Sequence, residues 1–188
     1  MKKRAFTEVV VSDHDKQELL SKSHLCIGMN RNEVQMIAPY FQAYQLSADT
    51  DIYEEGDREA FLCLIVSGSV KVCKSYGMPT EKILITLGPG ETVGEVSVID
   101  EMPRSASVVA NSDTILYALT RNNLIGMCNA SHILWAKLIF NITLSLCNRL
   151  RHTNDMLVEA LNGGVTSESL SGNLNVAIAK QHPFLKAS

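Results

Sequence analysis

Residues 93–110 read VGEVSVIDEMPRSASVVA, and this strand-like, mainly apolar stretch holds a Gly-Glu pair followed nine residues later by a single arginine. Charged side chains rarely enter a small domain without a partner, because it costs free energy to remove a charge from water. Glu95 and Arg104 therefore indicate either an ion pair between the two side chains or a polar ligand that both of them contact.

The residue types around Gly94 indicate a site for a phosphate beside a sugar hydroxyl. A tight turn at a glycine exposes backbone N–H groups without a Cβ in the way, and such a concavity attracts anions. Arg104, which follows Pro103, can hold phosphate oxygens with its forked guanidinium. An ionised Glu95 only accepts hydrogen bonds, so it suits a hydroxyl. Phosphate and sugar hydroxyl together are parts of a nucleotide.

The surrounding residues 45–119 are rich in short candidate strands. Glycine- and proline-containing breaks separate them, which is typical of a jelly roll or barrel, and the break YGMPT at residues 76–80 predicts a hairpin loop. The seven candidate strands are residues 51–55, 61–68, 69–75, 82–87, 91–94, 105–110 and 114–119.

Helical patterns flank the strands on both sides. In the segment 1–44, Ser12 or Asp13 can cap one helix, Asn30 or Asn32 can begin a second, and Pro39 can end it. The segment 120–161 predicts a short helix capped by Thr120 and a long one capped by Ser131. Gly163 and Gly164 would stop the long helix, and residues 162–188, rich in Gly, Ser and Asn, predict a flexible tail.

The long helix carries a mainly apolar stripe with spacings of three and four residues. The stripe either covers the strands or forms a dimer interface. Its members are Ile139, Ile142, Leu146, Leu150, Thr153, Leu157 and Leu161.

Composition narrows the possible functions. The 188 residues carry a net charge of −3 and no basic cluster, so DNA binding is not expected. The start lacks a signal-peptide apolar region, and no apolar run approaches the roughly 18 residues of a membrane span, so we expect a cytoplasmic protein without a membrane segment. The five cysteines are far apart and lack a CxxC motif, which favours reduced thiols over a metal site.

Residues 93–110 resemble the phosphate-binding cassette of cyclic nucleotide-binding domains, written FGE-(small residues)-PR-(A/S/T)-A-(S/T)-V. This family includes bacterial catabolite activator proteins, protein kinase A regulatory subunits and cyclic-nucleotide-gated channels. Gly56, Gly68 and Gly90 also stand in the family's order, and the resemblance covers roughly residues 41–159. Two departures are Val93, where phenylalanine is usual, and Ser97, where alanine is common.

The resemblance implies a mainly β fold with flanking helices: a double-stranded β-helix, or jelly-roll barrel, at residues 45–119 with its cassette at 88–108. N-terminal helices would precede the barrel, and a hinge helix and a long dimerisation helix at residues 120–161 would follow it. No cofactor or metal is implied, and the ligand would be cyclic AMP more readily than cyclic GMP.

The resemblance also implies roles for individual residues. Arg104 would bind the exocyclic oxygen of the cyclic phosphate, and Glu95 would accept the ribose 2′-hydroxyl. Ser105 would offer a hydroxyl to the phosphate or the base. The remaining implied residues are Gly94, Val96 and Ser97 for backbone contacts, Arg149 near Glu95, and Thr153 and Asn154 facing the purine edge, from either the same subunit or a partner subunit.

These residues predict a cyclic nucleotide sensor that forms a homodimer through its long helix and signals to a downstream protein. Two alternatives stay open: a catabolite activator-type transcription regulator without its DNA-binding domain, since only 27 residues follow Leu161, or a barrel of this fold whose pocket binds nothing. An enzyme is not expected, because a candidate nucleophile is missing. A metal-binding barrel is rejected, because the sequence has no histidine between His24 and His132.

Overall fold

Two antiparallel sheets, with helices before and after them, make up residues 6–162, the part of the chain that this computed structural model describes. The strands are β1 (Thr7–Glu8), β2 (Gln42–Leu46), β3 (Asp51–Tyr53), β4 (Phe61–Ser67), β5 (Val70–Lys74), β6 (Lys82–Leu87), β7 (Thr92–Val93), β8 (Ser107–Ala110) and β9 (Thr114–Thr120). The helices are α1 (Asp13–Ser21), α2 (Arg31–Ile37), α3 (Glu95–Asp100), α4 (Arg121–Ala130) and α5 (His132–Leu161), with 3-10 turns at His24–Cys26 and Ala38–Tyr40.

The fold is the mainly β architecture with flanking helices that the sequence predicts. One sheet has the order β1-β2-β9-β4-β7 and the other the order β3-β8-β5-β6. All of their pairs are antiparallel, and the sheets pack on each other without closing into a continuous barrel. Each of the seven candidate runs contains a strand, and β5 and β6 form the expected hairpin, with Lys74 opposite Lys82.

The side chains of β4 alternate between two hydrophobic cores, one on each face of the larger sheet. Successive side chains of a strand point to opposite faces. Leu62 and Leu64 face the helices and join the core there, whereas Cys63 and Ile65 face the second sheet. Burial of both faces makes β4 continuously apolar in sequence, unlike the half-exposed β6.

Local capping fixes the starts of the helices as the sequence predicts. The side chain of Ser12 accepts a hydrogen bond from the Asp15 amide at the start of α1. Asn30, rather than Asn32, caps α2 and forms a capping box with Glu33. Such side-chain bonds satisfy amides that the first helical turn leaves without partners.

The same rule holds for the helices that follow the sheets. Thr120 accepts from the Asn123 amide at the start of α4, and Ser131 accepts from the Leu134 amide at the start of α5. The expected stop at Gly163 and the expected tail at residues 162–188 lie outside the described residues, except for Asn162, the C-terminal cap of α5.

The first half of α5 is anchored to the N-terminal helices. The buried Asn141 donates to the carbonyl oxygens of Leu25 (2.8 Å) and Ile27 (3.0 Å). Lys137 donates to both carboxylate oxygens of Glu33, at 2.7 and 2.9 Å. These contacts hold α5 against the turn between α1 and α2.

The second half of α5 leaves the body of the protein. Ile142 is fully buried, but Leu150, Leu157 and Leu161 are 62%, 56% and 77% exposed. The apolar stripe therefore covers the sheet in its first part and lies open in its second. By length and composition alone α5 could cross a bilayer, but this is weak evidence because a core helix meets the same criterion.

Three local features differ from the sequence expectations. Residues 95–100 form the helix α3 rather than a strand-like stretch, because Gly94 adopts a left-handed conformation (φ 86°) that turns the chain out of β7. The strand β2 begins at Gln42, inside the segment expected to be helical, and β1 adds a short edge strand beside it. The strands β1 and β2 contain too few residues for an alternating pattern to be recognised in the sequence.

Gly68 offers a test of the turn between β4 and β5. Its φ is +80°, and a Cβ there would collide with the carbonyl oxygen of Asp113 and lie 2.6 Å from Thr114 Oγ1. We expect Gly68→Ala to lower the free energy of unfolding by about 3 kcal/mol, from backbone strain plus overpacking, as measured by urea denaturation.

The matched control is Gly77→Ala. Gly77 has a similar φ of +74° but open space around it, so only the left-handed penalty of about 1 kcal/mol applies. Equal losses for the two variants would contradict the packing argument.

Candidate functional site

Arg104 is a buried cation whose two terminal nitrogens are held by several contacts. Its side chain is 3% exposed, and its guanidinium donates to the carbonyl oxygens of Gly94 (3.1 Å) and Phe61 (2.7 Å) and to the Ser97 hydroxyl. The carbon Cζ lies 3.8 Å from the ring centre of Tyr53 and 4.5 Å from that of Phe61. These contacts hold the guanidinium in one orientation.

One polar atom of Arg104 remains unused. Its Nε is buried and has no hydrogen-bond partner among residues 6–162. Burial lowers the pKa of Arg104 from its ordinary value, but an arginine stays charged in proteins. A buried cation with a spare donor favours an anionic ligand.

Gly94 is required by the approach of the arginine. A Cβ at this position would lie 2.6 Å from Arg104 Nη1 and 2.6 Å from the Phe61 carbonyl oxygen. Only glycine leaves space for the guanidinium and also adopts the positive φ that starts α3. The Gly-Glu pair and the arginine are therefore one structural unit, as the sequence motif indicates.

Glu95 is the second buried charge, and Arg149 is its partner. The Thr92 hydroxyl donates to Glu95 Oε1, and Arg149 Nη1 donates to Oε2 at 3.0 Å. Arg149 Nη2 lies 2.9 Å from Oε1 and also donates to the Thr92 carbonyl oxygen. Among the described residues, Glu95 thus forms its ion pair with Arg149 of α5. It does not pair with Arg104, which was the alternative that the sequence left open.

Seven of the nine residues assigned to the site from the sequence line one cavity of about 110 Å³. These seven are Gly94, Glu95, Val96, Ser97, Arg104, Ser105 and Arg149. The structure adds Tyr53, Val72, Val93, Pro103 and Ala106 to the lining.

Thr153 and Asn154 do not reach this cavity in the single chain. Both side chains are exposed on the second half of α5, and the Thr153 hydroxyl donates to the Arg149 carbonyl oxygen of its own helix at 2.9 Å. Their assignment to the purine edge stays a prediction.

The sequence did not single out three residues that support the two charges. Tyr53 and Phe61 pack edge to face, with ring centres 5.8 Å apart, and cover the guanidinium of Arg104. Thr92 holds Glu95. An aromatic or threonine in a strand is ordinary, so no sequence signal distinguishes these positions.

A larger cavity of about 370 Å³ opens at the other side of Phe61. It is mainly apolar, with Ile52, Cys63, Leu116 and Ala118 in its wall. Its lining contains no lysine or arginine among the described residues, so it offers no counterpart to an anion. The smaller cavity is the better candidate for a phosphate ligand.

His24 connects the N-terminal turn to this polar cluster. Its Nε2 lies 3.2 Å from Thr92 Oγ1. Burial lowers the pKa of His24; Arg149 lowers this pKa further, whereas Glu95 and the backbone of Gly90 oppose the shift. His24 is therefore favoured in its neutral form.

Comparisons with known proteins identify the domain in which this cavity lies. Residues 44–131 match the family model described as "Cyclic nucleotide-binding domain". The "Cyclic AMP receptor protein" of Thermus thermophilus is 34% identical over 132 residues, which cover 70% of this chain and 59% of that relative. The chain thus spans about three fifths of the length of such curated relatives.

Solved structures show the same architecture. A cyclic nucleotide-binding domain from Methylobacillus flagellatus superposes with a TM-score of 0.75 and 28% identity, covering 82% of this chain and 89% of that one. The catabolite activator protein of Thermus thermophilus gives a TM-score of 0.64 and 34% identity, covering 74% of this chain and 63% of that one.

The lowered pKa of His24 predicts a pH dependence of stability. Below the ordinary histidine pKa of about 6.5, the unfolded chain binds a proton that the folded chain resists, so the free energy of unfolding falls as the pH drops. Above this pH the contribution is complete. Urea denaturation between pH 7.5 and 5.5 should show a shallower loss for His24→Gln than for the natural chain.

His14 provides the control for this measurement. It is an exposed histidine on α1, so His14→Gln should keep the pH slope of the natural chain. An equal change of slope in both variants would contradict the assignment to His24.

Proposed function

Residues 44–131 form a cyclic nucleotide-binding domain, and from this premise we propose that the protein is a sensor that binds cyclic AMP in preference to cyclic GMP. Occupancy would pass through α5 to a downstream protein. The observation that carries the proposal is the convergence of a buried Arg104, with a spare Nε donor, and a buried Glu95 on one cavity.

Arg104 would bind the cyclic phosphate. Its guanidinium is already oriented, because Gly94, Phe61 and Ser97 hold it. A phosphate in the cavity would satisfy Nε and neutralise the buried cation. Gly94, Val96, Ser97 and Ser105 line the same cavity, and backbone groups of the first three and the Ser105 hydroxyl would complete the contacts.

Glu95 would accept the ribose 2′-hydroxyl. Thr92 and Arg149 occupy part of its acceptor capacity, and the rest is available to a donor in the cavity. The preference for cyclic AMP follows the Thermus relative, whose name describes it as a cyclic AMP receptor.

The base would extend from the cavity toward α5. Pockets that enclose a whole small-molecule ligand usually measure roughly 300 Å³ or more, whereas this one measures about 110 Å³. The cavity therefore suits the cyclic phosphate and ribose. The base would then lie near the half of α5 that carries Thr153 and Asn154.

The open apolar stripe of α5 supports a homodimer. Leu150, Leu157 and Leu161 recur at helical spacing and would be covered by the same helix of a second subunit. Such an arrangement would also bring Thr153 and Asn154 of one subunit near the nucleotide of the other. Change in the contacts between Arg149 and Glu95 on binding would link the ligand to this interface.

A cytoplasmic location and a role without catalysis belong to the same proposal. The cysteines are all free, which suits a reducing compartment. The two cavity charges are each fixed by several contacts, which suits a role in binding.

Calorimetric titration tests the binding proposal. We expect the natural chain to bind cyclic AMP more tightly than cyclic GMP. Arg104→Lys should weaken binding of cyclic AMP by about 100-fold, because a single ammonium cannot reproduce the forked contact. Circular dichroism and urea denaturation would check that the variant is folded.

The matched control is Arg31→Ala, since Arg31 is exposed on α2 away from the cavity. This variant should bind as the natural chain does. No binding of either nucleotide by the folded natural chain would overturn the proposal and favour a pocket that binds nothing.

Light scattering coupled to size exclusion tests the dimer. Leu157→Glu should convert a dimer to a monomer, because a charge would be buried in the apolar interface. Ile133→Glu is the control: Ile133 is 70% exposed at the start of α5, away from the open part of the stripe, and should leave the dimer intact. A natural chain that is monomeric would refute this arrangement.

A further inference from the structure

Thr92 contacts the carboxylate of Glu95, which is the proposed ribose-binding group. It is fully buried and belongs to the two-residue strand β7, immediately before the Gly94 turn. Its hydroxyl donates to Glu95 Oε1, and its oxygen lies 3.2 Å from His24 Nε2. No part of the phosphate-binding motif identifies either Thr92 or His24.

The direction of these hydrogen bonds follows from the number of protons. A threonine hydroxyl has one hydrogen, and a carboxylate can only accept, so the Thr92 hydrogen points to Glu95. His24 Nε2 must then be the donor to Thr92 Oγ1. The neutral His24 thus carries its proton on Nε2.

We propose that Thr92, oriented by His24, is a positioning residue that fixes Glu95 for recognition of the ribose 2′-hydroxyl. This inference rests on the proposed function and adds two residues to it. Neither side chain would touch the nucleotide. Both would act through the carboxylate.

Thr92 is better suited than Arg149 to hold Glu95 permanently. Arg149 is a long, partly exposed side chain from the half of α5 that leaves the protein body. Thr92 pairs with Leu64 of the buried strand β4 and precedes Glu95 by only three residues. If α5 shifts when the nucleotide binds, the contact from Thr92 persists while that from Arg149 changes.

The contact with His24 also joins the site to the N-terminal helices. His24 begins the 3-10 turn His24–Cys26, and the neighbouring carbonyl oxygens of Leu25 and Ile27 accept the hydrogen bonds of Asn141. The position of the Thr92 hydroxyl is therefore set by a turn that is itself fixed to α5. This gives Glu95 a support that does not depend on the ligand.

A comparison of two ligands tests the inference. Cyclic AMP and 2′-deoxy-cyclic AMP differ only in the hydroxyl that Glu95 would accept. Thr92→Val should weaken binding of cyclic AMP by about tenfold, the usual effect of losing a hydrogen bond to a charged group, and should change binding of the deoxy ligand by less than about twofold. Thr92→Ser, which keeps the hydroxyl, should restore binding of cyclic AMP.

Two further variants complete the experiment. His24→Leu removes the hydrogen bond that His24 donates to Thr92 Oγ1. It should weaken binding of cyclic AMP by about threefold, less than Thr92→Val does, because His24 acts on Glu95 only through Thr92. Binding of the deoxy ligand should again change little. Thr86→Val is the control, because Thr86 is exposed on β6, and it should bind both ligands as the natural chain does.

The outcomes separate this inference from the proposed function. Selective loss of cyclic AMP binding in Thr92→Val and His24→Leu supports the positioning role. Equal losses for both ligands, or none, would overturn it while the natural chain still binds cyclic AMP. A folded natural chain that binds neither ligand would overturn the proposed function and this inference together.

Discussion

The burial of the Arg104 guanidinium is the constraint around which the site is built. A cation at 3% exposure must be surrounded by acceptors, and the structure supplies two carbonyl oxygens, a hydroxyl and two aromatic faces. Each support explains a residue choice: glycine at 94 so that the guanidinium can approach, and small Ser97 on the first turn of α3. The two sheets provide the rigid frame, because Phe61 begins β4 and Tyr53 ends β3.

Features set by nearest neighbours in the chain were predictable from the sequence. Ser12, Asn30, Thr120 and Ser131 cap helices because an oxygen three residues away from an amide needs no tertiary information. The seven strands follow from alternation and glycine breaks. The cassette motif placed Arg104, Glu95 and four further residues on one cavity, since all of them lie close together in the chain, between residues 94 and 105.

Long-range contacts were not predictable in this way. His24 and Thr92 are 68 positions apart, and the motif specifies neither residue type, so only the folded chain brings them together. The helix α3 was also missed, because six residues such as EVSVID fit a strand as well as a helix until Gly94 sets the turn. The stripe on α5 looked uniform in sequence, but packing divides it near Ser145 into a covered part and an open part.

Asn141 fixes the first part of α5 in place and leaves the second part free to move relative to it. Its two hydrogen bonds clamp the helix to the turn at Leu25 and Ile27, so bending would be confined to the portion beyond Ser145. That portion is 16 residues long, or about 24 Å at 1.5 Å per residue. If this portion tilted as a rigid rod by about 10° at Ser145, Leu161 would move by about 4 Å. Because Arg149 lies close to Ser145, a small displacement of Arg149 would correspond to a severalfold larger displacement of Leu161.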